Sequence, residues 1–452
     1  MTRRLHIDRL SEYVVTTQFE DIPRSVVEQG KVILLDTLGA IIRAASDRYS
    51  AGRMLLQFVK DLEGKKESTI IGPGYKTSAV NAALVNGTMG YYCDIESHHA
   101  ESITHVAAVL VPTVLALTES NGLGGKELLT SLVVGYDVET RVSTALGPSA
   151  LYARGFHPSA VAGCFGATAA AGNLLRLSSD QQKMAFGLAG CQACGLMAWE
   201  TDHTENSRPF QMGIAARNGV TAALLAKKGF GGPPDIFDGR YGIFGAFTDN
   251  PQPEKLIEDL GKRFTISEAT IKLYSCCAFL HPGADALLSI LSKNNLDHAD
   301  INEIHLHFPK SGAAVIDNNE LKSHNAQYIL PILAVNREIN IDDILHERRS
   351  DREIDRLSKN THVVYDEELG PFPEKYSSVV VVGTTDGKRY SEKVEYAKGH
   401  PKNPVTRKEL ETKFRRLASG ELSEKRIEDI IRKVGQIEDV SNVSELTRLV
   451  CK

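Results

Sequence analysis

The chain has 452 residues, of which 42% are hydrophobic and 24% charged, with a formal net charge of −5. That length holds two or three domains and a sizeable core, and a mild acidic excess without a basic run argues against a nucleic-acid binder. No uninterrupted apolar segment reaches the length of a membrane span. The charged start "MTRRLHIDRLSEYVV" lacks the apolar stretch of a secretory signal, so a cytoplasmic protein is expected.

In chain order, "PRSVVEQGKVILLDTLGAIIRAA" (23–45) spaces its apolar residues as a helix does, with Pro23 suited to a first turn. The stretch "YYCDIESHHAESITH" (91–105) then places one aspartate, two glutamates and three histidines between two apolar segments. "GKELLTSLVVGYDVETRVSTAL" and the Ala/Gly-rich "SAVAGCFGATAAAGNLLRL" read as closely packed helices. "SSDQQKMAFGLAGCQACGLMA" opens with a capping pattern, Ser178 or Ser179 ahead of Gln181 and Gln182. "QMGIAARNGVTAALLAKKGF" ends in lysines and a glycine, as helix C-termini do. Up to about residue 265 no strand alternation is visible.

The texture then changes. In "INEIHLHFPK", Ile304, Leu306 and Phe308 alternate with Glu303, His305 and His307, a strand pattern. "SSVVVVGTTDGKRYSEKVEYAKG" reads as a hairpin turning at Asp386-Gly387. "HPGADALLSILSKN" and "HNAQYILPILAVN" are helices between them. "KGHPKNP" is a linker, followed by amphipathic helices "TRKELETKFRRLA" and "SEKRIEDIIRKV" with exposed charged faces. The fold class expected is mainly α with a smaller α+β domain: residues 1–265 with 399–452 form the helical domain and 266–398 the smaller one. The seven cysteines, including the "CQAC" pair Cys191 and Cys194, are expected to be reduced and mostly buried.

The chemistry-bearing residues leave several readings open. The 91–105 stretch reads as a solvated charged loop, as acid/base machinery or as a metal site, although it has neither HExxH nor paired CxxC spacing. His157 opens a small-residue helix, where a cap or an anion-binding role is expected. Arg208, ahead of Pro209, suits a two-pronged grip on a carboxylate or a surface ion pair. His281 opens a helix at the domain junction. Tyr328 lies on an apolar helix, where core packing competes with function.

The ordered blocks "VNGTMGYYCDIE…ITHVAAVLVPTVLALTE", "GFHPSAVAGCFGATAAA", "SRPFQMGIAARNGVTAALLAKKGF", "YSCCAFLHPGADALL", "HNAQYILPILAVN" and "KGHPKNPVTRKELETKF" together resemble the MmgE/PrpD family over nearly the whole chain. The family's activities include 2-methylcitrate dehydration, cis-aconitate decarboxylation and iminodisuccinate epimerisation. The resemblance implies a homodimer with no metal or organic cofactor, acting on a small carboxylate. Asp94 resembles the first aspartate of the family's D-x-D-D stretch, Thr104 and His105 its T-H-P block, His157 its G-x-H-P histidine and Tyr328 its Q-Y tyrosine. His281 resembles the second of two histidines, with Cys277 where the first would stand. Arg208 takes the place of a lysine, and unlike lysine it cannot release a proton near neutral pH. The 94–99 stretch also departs from D-x-D-D, and Ala107 and its neighbours replace the Pro-Ser/Gly that usually follows the histidine.

The resemblance therefore implies a lyase or isomerase, with a 2-methylcitrate-dehydratase-like hydro-lyase as the main expectation and a decarboxylase or epimerase as the alternative. His105 is the expected acid/base, oriented by Asp94. Arg208 and His157 are expected to hold carboxylates, and Tyr328 and His281 to close the site and donate a proton. Thr104, Lys272, Ser97, His98 and His99 are expected to meet substrate. A metal-dependent hydrolase on Asp94, Glu96, His98, His99 and His105, or a non-catalytic binding protein, remains a remote alternative.

Overall fold

The computed structural model describes residues 6–46, 49–345, 351–370 and 376–452. The chain divides into two compact units. The first comprises Met1–Trp199, Asn206–Ala269 and Thr406–Lys452; the second comprises Glu200–Glu205 and Thr270–Val405. The fold is mainly α, with a smaller α+β part.

In the first unit the core is a stack of helices: α1 (Arg24–Ala44), α2 (Ala79–Tyr92), α3 (Val106–Ser120), α4 (Gly125–Leu146), α5 (Pro158–Leu174) and α6 (Ser207–Lys227). Nearly every residue of α3 and α5 is buried. A helix apolar on all sides has no solvent face to offer, so it must lie inside its neighbours. Burying each Leu or Val side chain there is worth about 1.5–3 kcal/mol.

Small residues let the backbones close up. A Cβ on Gly87 of α2 would sit 2.9 Å from the Gly213 Cα of α6, so these two helices meet at glycines. That approach fixes the spacing between the C-terminal end of α2 and the N-terminal end of α6. Ser178 caps the helix Ser179–Gly190 in a reciprocal bond with Gln181, the pattern its sequence predicts.

Contrary to the sequence expectation, the first part of the chain is not purely helical. Strand pairing does occur before residue 265, as β1 (Ser68–Thr69) and β2 (Lys76–Thr77), which are antiparallel, and β3 (His98–His99). Two-residue strands are too short to show an alternation.

The second unit holds a four-stranded sheet: β4 (Ile301–Pro309), β5 (Thr361–Asp366), β6 (Ser378–Thr384) and β7 (Arg389–Val394), in the order β5-β4-β6-β7. β4 pairs parallel with β5, and antiparallel with β6. β6 and β7 form the hairpin, turning through Gly387 at φ 85°. Ile304, Leu306 and Phe308 face the core while His305 and His307 are half-buried, the period-two pattern of a one-sided sheet. Helices α7 (His281–Lys293) and α8 (Ala326–Asn336) belong to this unit.

The chain then returns to the first unit with α9 (Arg407–Ala418), capped by Thr406 and Glu409. α9 lies against α1, where a Cβ on Gly39 would come within 3.2 Å of both Phe414 and Leu417. No described helix is long and apolar enough to cross a membrane. The described cysteines are free thiols; Cys93, Cys164, Cys276 and Cys277 are buried, whereas Cys191 and Cys194 are exposed.

Candidate active site

The site grows from the loop between α2 and α3. Asp94 adopts φ 48° and Ile103 φ 50°, left-handed conformations that cost a non-glycine residue on the order of 1 kcal/mol. The chain therefore turns sharply at both ends of the loop, and Asp94 Oδ2 lies 3.4 Å from Arg208 Nη1, with both side chains buried.

Two residues on, Glu96 is fully buried and its Oε1 lies 2.7 Å from His105 Nδ1. A carboxylate at Nδ1 holds the hydrogen there and leaves Nε2 as the working nitrogen. The His105 backbone N–H donates to Ser159 Oγ at 3.0 Å, which ties the start of α3 to the start of α5. Tyr91 covers the His105 ring at 4.2 Å between centroids, and the His98 ring lies 6.3 Å away.

Arg208 sits in the first turn of α6. Its guanidinium lies 4.5 Å from the Tyr91 ring centroid and 5.6 Å from that of Trp199. Both faces stabilise a cation taken out of water. His157 precedes α5, buried between Tyr91 and Trp199 at 6.3 and 5.8 Å. Its Nδ1–H donates to Gln211 Oε1 at 2.9 Å, because the Gln211 amide nitrogen is committed to the Leu196 carbonyl. Burial, with the Arg208 charge adding to it, pushes the His157 imidazole down to about 4. With no anion bound, the ring is neutral at pH 7. Its Nε2 then offers a lone pair.

The structure brings Asp94, His98, His105, His157 and Arg208 together but separates other expected residues. His99 points the opposite way from His98, as successive residues on an extended strand do. Its Nδ1 meets Ser102 Oγ at 2.8 Å and its Nε2 meets Glu268 at 3.3 Å. Thr104 is bound into this second cluster through Ser102 Oγ, and the Ser97 hydroxyl lies beside the buried Tyr136 phenol.

His281, Tyr328 and Lys272 belong to the second unit. Lys272 is fully buried. The His281 ring packs edge-on to Tyr274 at 5.2 Å. The Tyr328 hydroxyl donates to the Asp343 carbonyl, which competes with its expected proton-donor role.

Sequence reasoning paired His105 with Asp94. The geometry gives that place to Glu96, while Asp94 serves Arg208. Tyr91, Trp199 and Gln211 were not expected, since nothing in the spacing marks an aromatic as a lid on a cation.

Among the described residues, two groups of side chains have metal-like donor spacing: Asp94, Glu96 and His105, and His99, Glu101 and Glu268. In the first, Asp94 already faces Arg208. In the second, Arg263 bonds to both glutamates at 2.6–2.7 Å. A guanidinium thus stands at each cluster, and its fixed charge opposes a metal cation.

Profiles of the MmgE/PrpD N-terminal and C-terminal domains match residues 8–256 and 274–436. The chain belongs to the MmgE/PrpD family. Within it, the chain is similar to the cis-aconitate decarboxylase-like protein oryM of Aspergillus oryzae, 27% identical over 98% of this chain and 96% of the relative. It is also similar to cis-aconitate decarboxylase of Aspergillus terreus, 27% identical over 94% of this chain and 92% of the relative. The Homo sapiens cis-aconitate decarboxylase is 28% identical over 94% of this chain and 90% of the relative. As an MmgE/PrpD protein the chain matches these relatives along nearly its whole length.

Proposed function

We propose that this protein is a carboxy-lyase that removes CO2 from cis-aconitate or a closely similar unsaturated polycarboxylate. The relatives support this reading. They move it from water elimination, the main expectation from sequence, to loss of CO2, its alternative. The structural observation that carries it is the contact of the buried Glu96 carboxylate with the half-buried His105 at 2.7 Å, in the same loop that places Asp94 beside Arg208.

Decarboxylation asks little of a protein. One carboxylate must be held by a fixed cation, the carbon–carboxylate bond must break, and the resulting carbanion needs one proton. Arg208 supplies the cation, with charge-assisted bonds that an aromatic surround strengthens. As CO2 leaves, the electron pair spreads into the neighbouring alkene. His105 Nε2–H then delivers the proton to carbon, with Glu96 stabilising the imidazolium beforehand. The ring recovers its proton from solvent, so the balance is carboxylate plus proton to CO2 plus the protonated product. Because Arg208 releases no proton near neutral pH, the donor role falls to a histidine.

The test is to incubate the purified protein with cis-aconitate in D2O and follow CO2 release and the product by NMR. One deuterium on the product carbon and stoichiometric CO2 are expected. Hydration of the double bond without CO2 would return the reading to the dehydratase, and no turnover of any di- or tricarboxylate would sink both.

A further inference from the structure

Lys413 is the unused charged group nearest in chemistry to this site. It sits on α9, more than three hundred residues along the chain from the loop it touches. Its side chain is buried, and its Nζ donates to Asp36 Oδ1 of α1 at 2.5 Å and to the Ile95 carbonyl at 2.6 Å. Ile95 is the residue between Asp94 and Glu96.

A buried ion pair is a weak source of stability, since apolar residues of the same shape do as well or better. What this pair adds is direction. Asp36 anchors the ammonium, and the ammonium holds one peptide carbonyl. The next residue along that peptide is Glu96, whose carboxylate also attracts the ammonium, while Arg416 of α9 repels it. The close approach of α9 to α1 at Gly39, three residues beyond Asp36, keeps the amine in register.

We propose that Lys413 is a positioning residue of the active site. By holding the Ile95 carbonyl, it fixes the Glu96 backbone and so the distance from Glu96 to His105. The proposal rests on His105 and Glu96 being the working pair, and it names a contribution to the site from the C-terminal segment.

The variant Lys413→Met removes the donors at nearly constant volume. Misplacement of a catalytic group by about 1 Å costs about 10²-fold in rate. A fall of that size in kcat is therefore expected, with KM little changed, the fold intact by circular dichroism, and partial recovery in Lys413→Arg, which keeps charge and donors.

A second readout needs no turnover. The His105 imidazole, which faces Glu96, Asp94, His98 and Tyr91, is titrated by NMR in wild type and variant and assigned by its loss in His105→Gln. Loosening the Glu96 bond moves the titration down. Deleting the cation alone moves it up. A downward move supports the proposal even if wild type decarboxylates nothing, which separates it from the functional reading. An unmoved or upward titration overturns it, whatever kcat does. Should Lys413→Met not fold, the doubly neutral variant Asp36→Asn with Lys413→Met carries the same test and the same expected direction.

Discussion

His98 and His99 stand on the two faces of one short strand, and each face has its own histidine–glutamate pair. On one face, beside the His98 ring, Glu96 gives its carboxylate to His105 at 2.7 Å, with Asp94, Arg208 and the Lys413 ammonium nearby. On the other, Glu268 meets His99 at 3.3 Å but is also bonded twice by Arg263. Burial would raise the Glu268 carboxyl, yet hydrogen bonds from His99 and Arg263 hold it down at about 2. The same residue types thus make the pair proposed for proton transfer on one face and a charge-neutralised brace on the other. What separates them is whether an arginine has already claimed the carboxylate.

The comparison breaks most visibly through activity. His105→Asn should lower kcat about 10³-fold and Glu96→Gln about 10²-fold, the range for losing general acid–base chemistry, with melting temperatures near wild type. Equal activity in both would dissolve the distinction between the faces. Arg208→Ala should raise KM about 10–100-fold, as expected for a lost charged hydrogen bond of about 1.5–3 kcal/mol; steady-state kinetics on cis-aconitate reads this directly.

His157 gives the next effect, on stability. Its folded value of about 4 lies below the ordinary 6.5, so the unfolded chain takes up the proton first. Stability is full above pH 6.5 and is lost as pH falls from there to about 4, by about 3 kcal/mol at most. Urea unfolding at pH 7 and pH 4 should show that loss in wild type and not in His157→Gln. The smallest effect belongs to the brace. His99→Ala should cost about 1–2 kcal/mol of unfolding free energy and leave kcat within severalfold, measured by the same urea titration and assay.

Much of this was legible in the sequence because it is local. The 3.6-residue spacing of 23–45, the Ser178–Gln181 cap and the Asp386-Gly387 hairpin each depend on neighbours along the chain, and each formed. His157 and Arg208 stood out as polar residues at the starts of apolar helices and His105 through its likeness to the T-H-P block, and those three helix starts do meet. The choice between Asp94 and Glu96 as the partner of His105 did not stand out. It depends on the left-handed turn at Asp94, which swings that carboxylate toward α6 and leaves Glu96 facing His105. Lys413 was read as part of an exposed charged face, and its burial follows from where α9 packs, which no periodicity reveals. His98 and His99 looked interchangeable because alternation over two residues cannot be told from a loop.

The return of α9 to the first unit also has a meaning in time. A ribosome delivers the chain from its N-terminus, and early segments fold as they emerge. Asp94, Glu96, His105, His157 and Arg208 all precede residue 270 in the chain, while Lys413 is translated only after the entire second unit. The nascent protein therefore carries a loop with a carboxylate–histidine pair but no clamp on it. A segment translated after the second unit sets the geometry of a loop translated before it.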